Sequence, residues 1–141
     1  MKVELQRKNN KFHMEATNEQ NVSIQIDGAP DIGGEDLGVR PMQLLLMGLG
    51  GCSSIDISMI LGKQKLVIDD LKLVIEATRK KDSIPSIFEH IHMKVYLEGD
   101  LPESKAKRAV DLSITKYCSV AKILESTAKV TYSTYLNNKE I

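Results

Sequence analysis

The chain has 141 residues, of which 42% are hydrophobic and 27% charged, and its formal net charge is zero. This length suits one domain with its own core, so we expect a single domain over 1–141. A neutral chain with only 4% aromatic residues lacks the basic surface and stacking rings typical of nucleic-acid or anionic-membrane binding, so we expect neither partner.

The N-terminal part alternates apolar and polar residues in three short stretches, at 3–5, 12–16 and 22–26. Alternation with period two predicts strands, and the polar residues between them predict the turns of an antiparallel meander. Residues 27–38 hold four glycines, a proline and four acidic residues. This segment predicts a loop that is long enough for a functional lid.

The most apolar segment, LLLMGLGGCSSIDISMIL at 44–61, lies in a predicted helix that begins at Arg40-Pro41 and ends near Leu61, with Gly62 as its stop. Its first half is apolar nearly all round, which is typical of a helix covered on most sides. The unbroken apolar stretch falls short of the ~20 residues of a membrane span, and no apolar signal segment precedes it. We expect a buried helix in a soluble, cytoplasmic protein, with a second subunit covering part of it.

The remaining chain predicts two strands, two helices and a last strand. The strands are expected over 71–77, 88–97 and 128–136. The second of them alternates, which predicts that Ile91, Met93, Val95 and Leu97 face the core. One helix begins near Pro102 with Asp100 as its cap and breaks at Tyr117 and Cys118, and a short helix continues to Leu124. The tail, NNKEI, is expected to be loose. Runs of strands divided by helices, without strict alternation, indicate an α+β fold with antiparallel sheet.

The chain has two cysteines, Cys52 and Cys118. In a cytoplasmic protein such a pair indicates buried inert thiols, a metal site or redox chemistry rather than a structural disulfide. Cys118 follows the predicted helix break, where a helix N-terminus favours thiolate. Cys52 lies in an apolar helix with Asp56 one turn on, so a nucleophilic thiolate there needs a cation such as Arg40 or a hydrogen-bond donor. From the residues alone, these interpretations stay open.

Other patterns predict no further site. His90 and His92 share a strand face, as metal ligands can, but no cysteine or histidine lies at a supporting spacing, so we expect a solvated strand face. The glycines at 48, 50 and 51 lack the preceding strand and the lysine of phosphate-binding loops. They indicate instead the close approach of another helix or subunit.

Two motifs, GVRPMQLLLMGLGGCSSIDISMIL (38–61) and KYCSVAKILESTAKVTYSTYL (116–136), resemble the osmotically inducible protein C / organic hydroperoxide resistance (OsmC/Ohr) family. The resemblance includes the order of elements and covers nearly the whole chain. It implies antiparallel sheets around a buried, cysteine-bearing central helix in an intertwined homodimer. Characterised members are thiol peroxidases, so Cys52 would be the peroxidatic cysteine and Cys118 the resolving one.

The resemblance therefore implies a thiol-dependent peroxidase that reduces organic or inorganic hydroperoxides in oxidative-stress defence. Such a peroxidase needs neither a metal nor an organic cofactor, because the sulfur itself is oxidised and reduced. An external dithiol of the lipoyl or thioredoxin type would restore the thiols. The family keeps an arginine, held by a glutamate, near the attacking sulfur; here Met42 stands at the glutamate position, and Arg40 is the substitute cation. The alternative is a non-enzymatic OsmC-fold dimer that binds a small apolar or thiol-reactive ligand at the subunit interface. A third interpretation is a pair of buried structural thiols.

Overall fold

The computed structural model describes all 141 residues and divides them into two compact units, Met1–Leu46 and Met47–Ile141. The single domain expected from the chain length stays a prediction. The first unit is a three-stranded antiparallel sheet, and the second contains a four-stranded sheet with helices. This mixture of helices and mainly antiparallel strands confirms the predicted α+β class.

The first unit is the predicted meander. Its strands are β1 (Val3–Arg7), β2 (Met14–Asn18) and β3 (Ser23–Ile26), paired antiparallel in chain order. Each strand covers one of the alternating stretches, because period two places successive side chains on opposite faces of a sheet. The predicted loop comes after β3 and contains one short 3-10 turn, Pro30–Ile32.

Asp27 orders this loop. Its side chain is buried, and its carboxylate accepts hydrogen bonds from the backbone N–H groups of Gly28 (2.7 Å), Glu35 (2.9 Å) and Leu37 (3.1 Å). Burial acts to raise the pKa of Asp27, but the three N–H donors together lower it below its usual range. The ionised carboxylate therefore fastens both ends of the 27–38 loop.

Helix α1 (Pro41–Lys63) carries the apolar segment. It ends two residues beyond the predicted Leu61, and Gly62 stays helical; the left-handed residue after the helix is Lys65, at φ 60°. By length and hydropathy α1 could cross a membrane, but the core helix of a soluble protein meets the same criterion. Within the chain it buries one ridge with four-residue spacing: Leu49, Ser53, Ile57 and Leu61.

The second sheet has the strand order β4 (Asp70–Arg79), β5 (Phe88–Glu98), β6 (Lys129–Leu136) and β7 (Lys139–Glu140). As predicted, β5 alternates, with Ile91, Met93, Val95 and Leu97 buried. The expected antiparallel pairing is found for β4 with β5 and for β6 with β7, whereas β5 and β6 are parallel. The helices between them supply the crossover that a parallel pair requires.

The C-terminal tail, which was expected to be loose, instead forms a strand. Asn137 and Asn138 both have positive φ, 49° and 66°, and they turn the chain so that β7 pairs with β6. Asparagine tolerates this left-handed conformation, which two-residue hairpin turns need. The tail therefore covers the edge of the sheet.

Two helices join β5 to β6: α2 (Glu103–Leu112) and α3 (Ser119–Leu124), separated by a π-helical turn, Ser113–Tyr117. The residue that caps α2 is Pro102, with no side-chain hydrogen bond, so the cap predicted at Asp100 is wrong. The break predicted before Cys118 is confirmed, since the backbone leaves the helical region there, at φ −69° and ψ 104°.

Candidate functional site

The two thiols meet although 66 residues separate them in the sequence (118 − 52). Cys52 lies on α1, and Cys118 caps the N-terminus of α3. Both are free thiols. Their sulfur atoms and a carboxylate oxygen of Asp56 all lie within 4.8 Å of one another. The structure thus brings together two of the three predicted site residues and adds Asp56.

The π-helical turn sets the position of Cys118. The Cys118 N–H donates to the carbonyl of Ser113, five residues back, at 2.8 Å. The chain then becomes extended for one residue, and the Cys118 Sγ accepts the N–H of Ala121 at 3.4 Å. Such π-helical turns hold one extra residue and are frequent at functional sites. Here the turn directs the sulfur towards α1.

The surroundings of Cys118 favour the neutral thiol. Its side chain is only 2% exposed, and burial raises its pKa above the usual range. The neighbouring Cys52 raises the Cys118 pKa further, while the Ala121 N–H opposes the shift without cancelling it. The thiolate expected from the helix N-terminus is therefore not favoured, because desolvation outweighs the local dipole.

Two buried serines join the elements that hold the cysteines. Ser53 and Ser113 are completely buried, and the Ser113 Oγ donates to the Ser53 carbonyl at 3.2 Å. This bond links α1 to the π-helical turn. The Ser53 Oγ itself makes no hydrogen bond of ordinary geometry. The sequence signal for these residues is weak: Ser53 is the polar member of the ridge that α1 buries.

Arg40 contacts the loop in the first unit. Its guanidinium pairs with the Asp36 carboxylate and donates to the carbonyls of Gly38 (2.9 Å) and Asp27 (3.4 Å). These contacts fix the start of α1 to the end of the loop. The role of Arg40 beside Cys52 stays a prediction.

A cavity of about 260 Å³ adjoins the cysteine pair through Asp56. It is lined by Asp56, Met59, Ile60, Lys63, Leu112 and Tyr117. The walls are mostly apolar, with one carboxylate and one ammonium group as polar ends. A small, largely apolar molecule fits such a site.

His92, on β5, is not simply solvated as expected. Its Nδ1 lies 2.8 Å from the Thr131 Oγ1, and its Nε2 lies 3.2 Å from the Ser133 Oγ. The ring is part-buried, whereas His90 is exposed, as predicted for this face. Both ring nitrogens of His92 thus serve to join β5 to β6.

Comparison with known proteins identifies several relatives. The family model described as OsmC-like protein matches residues 33–133. Protein YhfA of Escherichia coli (strain K12) is 42% identical over 101 residues, covering 70% of this chain and 73% of that protein.

Solved structures share the fold. A hypothetical protein from Aquifex aeolicus VF5 superposes with a TM-score of 0.78 at 28% identity, over 96% of both chains. The organic hydroperoxide resistance protein OhrB of Bacillus subtilis superposes with a TM-score of 0.63 at 21% identity, again over 96% of both chains. At that identity the second likeness shows the fold alone.

Proposed function

The chain belongs to the OsmC-like protein family, as its motifs predicted, and on that premise we propose that it is a two-cysteine thiol peroxidase. The observation that carries this proposal is the approach of the Cys52 and Cys118 sulfurs to within 4.8 Å. From that separation small side-chain movements bring two sulfurs to the bonding distance of a disulfide, about 2.05 Å. Oxidation of one thiol can therefore be resolved by the other within the same chain.

The reaction has three steps. The Cys52 thiol first loses its proton, and the thiolate attacks the terminal oxygen of a hydroperoxide. The O–O bond breaks, the alkoxide takes up the released proton and leaves as the alcohol, and Cys52 becomes a sulfenic acid. The Cys118 sulfur then attacks the Cys52 sulfur; hydroxide leaves and takes the Cys118 proton, giving a disulfide and water. An external dithiol, of lipoyl or thioredoxin type, reduces this disulfide by exchange and is itself oxidised to a disulfide.

The two cysteines suit different steps. Cys52 is part-exposed, whereas Cys118 is buried and its raised pKa keeps it protonated. Peroxide therefore meets Cys52 first, and Cys118 reacts only once the neighbouring sulfenic acid has formed. Arg40 is the proposed cation for the attacking thiolate. The cavity beside Asp56 accepts the organic part of a small hydroperoxide through its apolar wall.

The exposed face of α1 supports a homodimer. Along one side of the helix, Met47, Gly51, Ile55 and Met59 succeed one another at four-residue spacing. Ile55 is 62% exposed, and both methionines are about half exposed. A second copy of the chain would cover this apolar stripe, as in the intertwined dimer predicted for the family. We place the dimer in the cytoplasm, where thiols are kept reduced.

The second candidate is a binding protein without peroxidase activity. Asp56 favours it, because its carboxylate lies within 4.8 Å of both sulfurs and repels a thiolate. Met42 at the position of the family's glutamate favours it as well. The dimer would then hold a small apolar or thiol-reactive ligand, and Cys52→Ser would leave binding largely intact.

Peroxide titration with mass analysis tests the proposal. We expect one equivalent of an organic hydroperoxide to remove two hydrogens from the chain and to yield a peptide pair joined through Cys52 and Cys118. Cys118→Ser retains one round of peroxide consumption and stops at the Cys52 sulfenic acid. Cys52→Ser consumes none. Two unmodified thiols after treatment of the unsubstituted protein would refute the peroxidase and leave the binding protein.

A further inference from the structure

Three groups of metal-binding type converge at the cysteine pair. We propose that the reduced protein binds a thiophilic divalent cation, Zn²⁺, through the Cys52 Sγ, the Cys118 Sγ and one carboxylate oxygen of Asp56. This inference goes beyond the peroxidase, because it assigns the same sulfurs a state in which they do not react with peroxide.

The geometry fits a tetrahedral ion. With Zn–S bonds of about 2.3 Å and a Zn–O bond of about 2.1 Å, the donor atoms around zinc lie about 3.5–3.8 Å apart. The three donors in this chain lie within 4.8 Å of one another, so each pair has to move closer by at most about 1.3 Å. Cys52 and Asp56 are one turn apart on α1, and residues at this spacing lie on the same face of a helix. Cys118 completes the set from the cap of α3.

The state of Asp56 is the second, independent observation. Its Oδ2 atom is buried and has no hydrogen-bond partner. Asp56 also takes part in none of the chain's ion pairs. A buried carboxylate oxygen without a partner is unfavourable and rare in native proteins. A cation between this oxygen and the two sulfurs would satisfy it.

The charges also require a cation if both thiols ionise. The ionised carboxylate and two thiolates carry three negative charges, and Zn²⁺ leaves the centre with one. Binding releases two protons, one from each thiol, as the two Zn–S bonds form. Because protons and the metal compete for the same two sulfurs, the affinity for metal rises with pH. No oxidant or reductant takes part.

The site leaves one coordination position open. Three protein ligands plus one exchangeable ligand are typical of zinc sites that accept a small molecule. Asp56 lines the cavity of about 260 Å³, so the open position lies near that cavity. Bound metal would hold both sulfurs as ligands and slow their oxidation, and it would have to leave before the disulfide forms.

The test uses the full chain, reduced and freed of metal under anaerobic conditions. Co²⁺ replaces Zn²⁺ as a spectroscopic probe, since thiolate-to-cobalt charge transfer and the intensity of the d–d bands report sulfur ligation and tetrahedral geometry. We expect one Co²⁺ per chain, two protons released per metal in a weakly buffered titration, and displacement of Co²⁺ by Zn²⁺. Competition with a chromophoric chelator then gives the zinc affinity.

Asp56→Asn is the informative variant, because it keeps the size of the side chain. We expect it to weaken zinc binding about tenfold or more, and Cys52→Ser to abolish the thiolate bands. Asp31→Asn makes the same chemical change in the exposed loop and leaves the affinity unchanged. Circular dichroism confirms that each variant is folded.

The possible outcomes separate this inference from the proposed function. A chelator that retains all the metal, or an Asp56→Asn variant that binds as tightly as the unsubstituted protein, would overturn the zinc site. Peroxide consumption by the metal-free protein is measured in parallel. Peroxide consumption without metal binding refutes the zinc site and leaves the peroxidase. Metal binding without peroxide consumption refutes the peroxidase and leaves the zinc site.

Discussion

Gly51 on α1 provides a direct test of the homodimer, through the substitution Gly51→Leu. A Cβ at this position meets no heavy atom of its own chain within 4 Å. Leucine is also a better helix former than glycine, by about 0.8 kcal/mol. In a lone chain the substitution is therefore stabilising by about that amount.

In the proposed dimer the same substitution has the opposite effect. Gly51 lies in the middle of the apolar stripe formed with Met47, Ile55 and Met59. Overpacking a close contact is unfavourable by about 1–3 kcal/mol, and a two-fold interface contains the substitution twice. The sum is about 2–6 kcal/mol, which weakens association by about 30-fold or more.

Sedimentation velocity over a range of protein concentrations measures this effect, with urea unfolding in parallel. We expect Gly51→Leu to dissociate at concentrations at which the unsubstituted protein is dimeric. Gly50→Ala is the matched control, because its Cβ would lie 3.2 Å from the Ile75 Cδ1 of the same chain. We expect Gly50→Ala to change the urea concentration of unfolding but not the protein concentration at which the dimer dissociates. A Gly51→Leu protein that stays dimeric and unfolds at a higher urea concentration would refute the claim that a second copy covers the apolar stripe of α1.

Three further predictions concern charge. Asp56→Asn removes a carboxylate from within 4.8 Å of both sulfurs. Even with full water screening, the repulsion between this carboxylate and a thiolate is about 0.9 kcal/mol. We therefore expect alkylation of Cys52 near neutral pH to accelerate at least about fourfold, and an unchanged rate would contradict this. Asp27 has a lowered pKa, so its contribution to stability is present above about pH 4 and is lost as the pH falls through the lower folded value. The protection of the Glu35 and Leu37 amides against hydrogen exchange, relative to the intrinsic rate at each pH, should then fall in acid, and Asp27→Asn should remove that pH dependence. Burial, with the Asp111 carboxylate, raises the pKa of Tyr132 to about 12, so the contribution of Tyr132 to stability is present below about pH 10 and is lost towards pH 12. An absorbance titration should show this late ionisation, and Asp111→Asn should shift it to lower pH.

The parts of the fold that depend on local pattern were predictable. Alternation placed β5 and its buried residues, such as Ile91 and Leu97, because a strand presents every second side chain to the core. The motifs around both cysteines identified the family. The break before Cys118 was also visible, although not its π-helical geometry.

The parts that depend on tertiary contact were not predictable. Nothing near Asp56 in the sequence shows that it faces Cys118, 62 residues away (118 − 56). Likewise, the short helix was expected to make Cys118 acidic, but the burial that reverses this effect comes from other elements. Parallel pairing of β5 with β6 and the return of β7 also depend on how distant segments pack.

The π-helical turn makes the cysteine pair sensitive to chain length. Residues 113–117 contain one residue more than a regular α-helix would use to cover the same rise. Deleting one of them would let α2 continue as an ordinary helix and would rotate the adjoining α3 segment by about 100°. Cys118 would then swing away from Cys52 and Asp56 with every one of the three residues still present. A single-codon deletion could thus uncouple the two thiols in an otherwise intact fold.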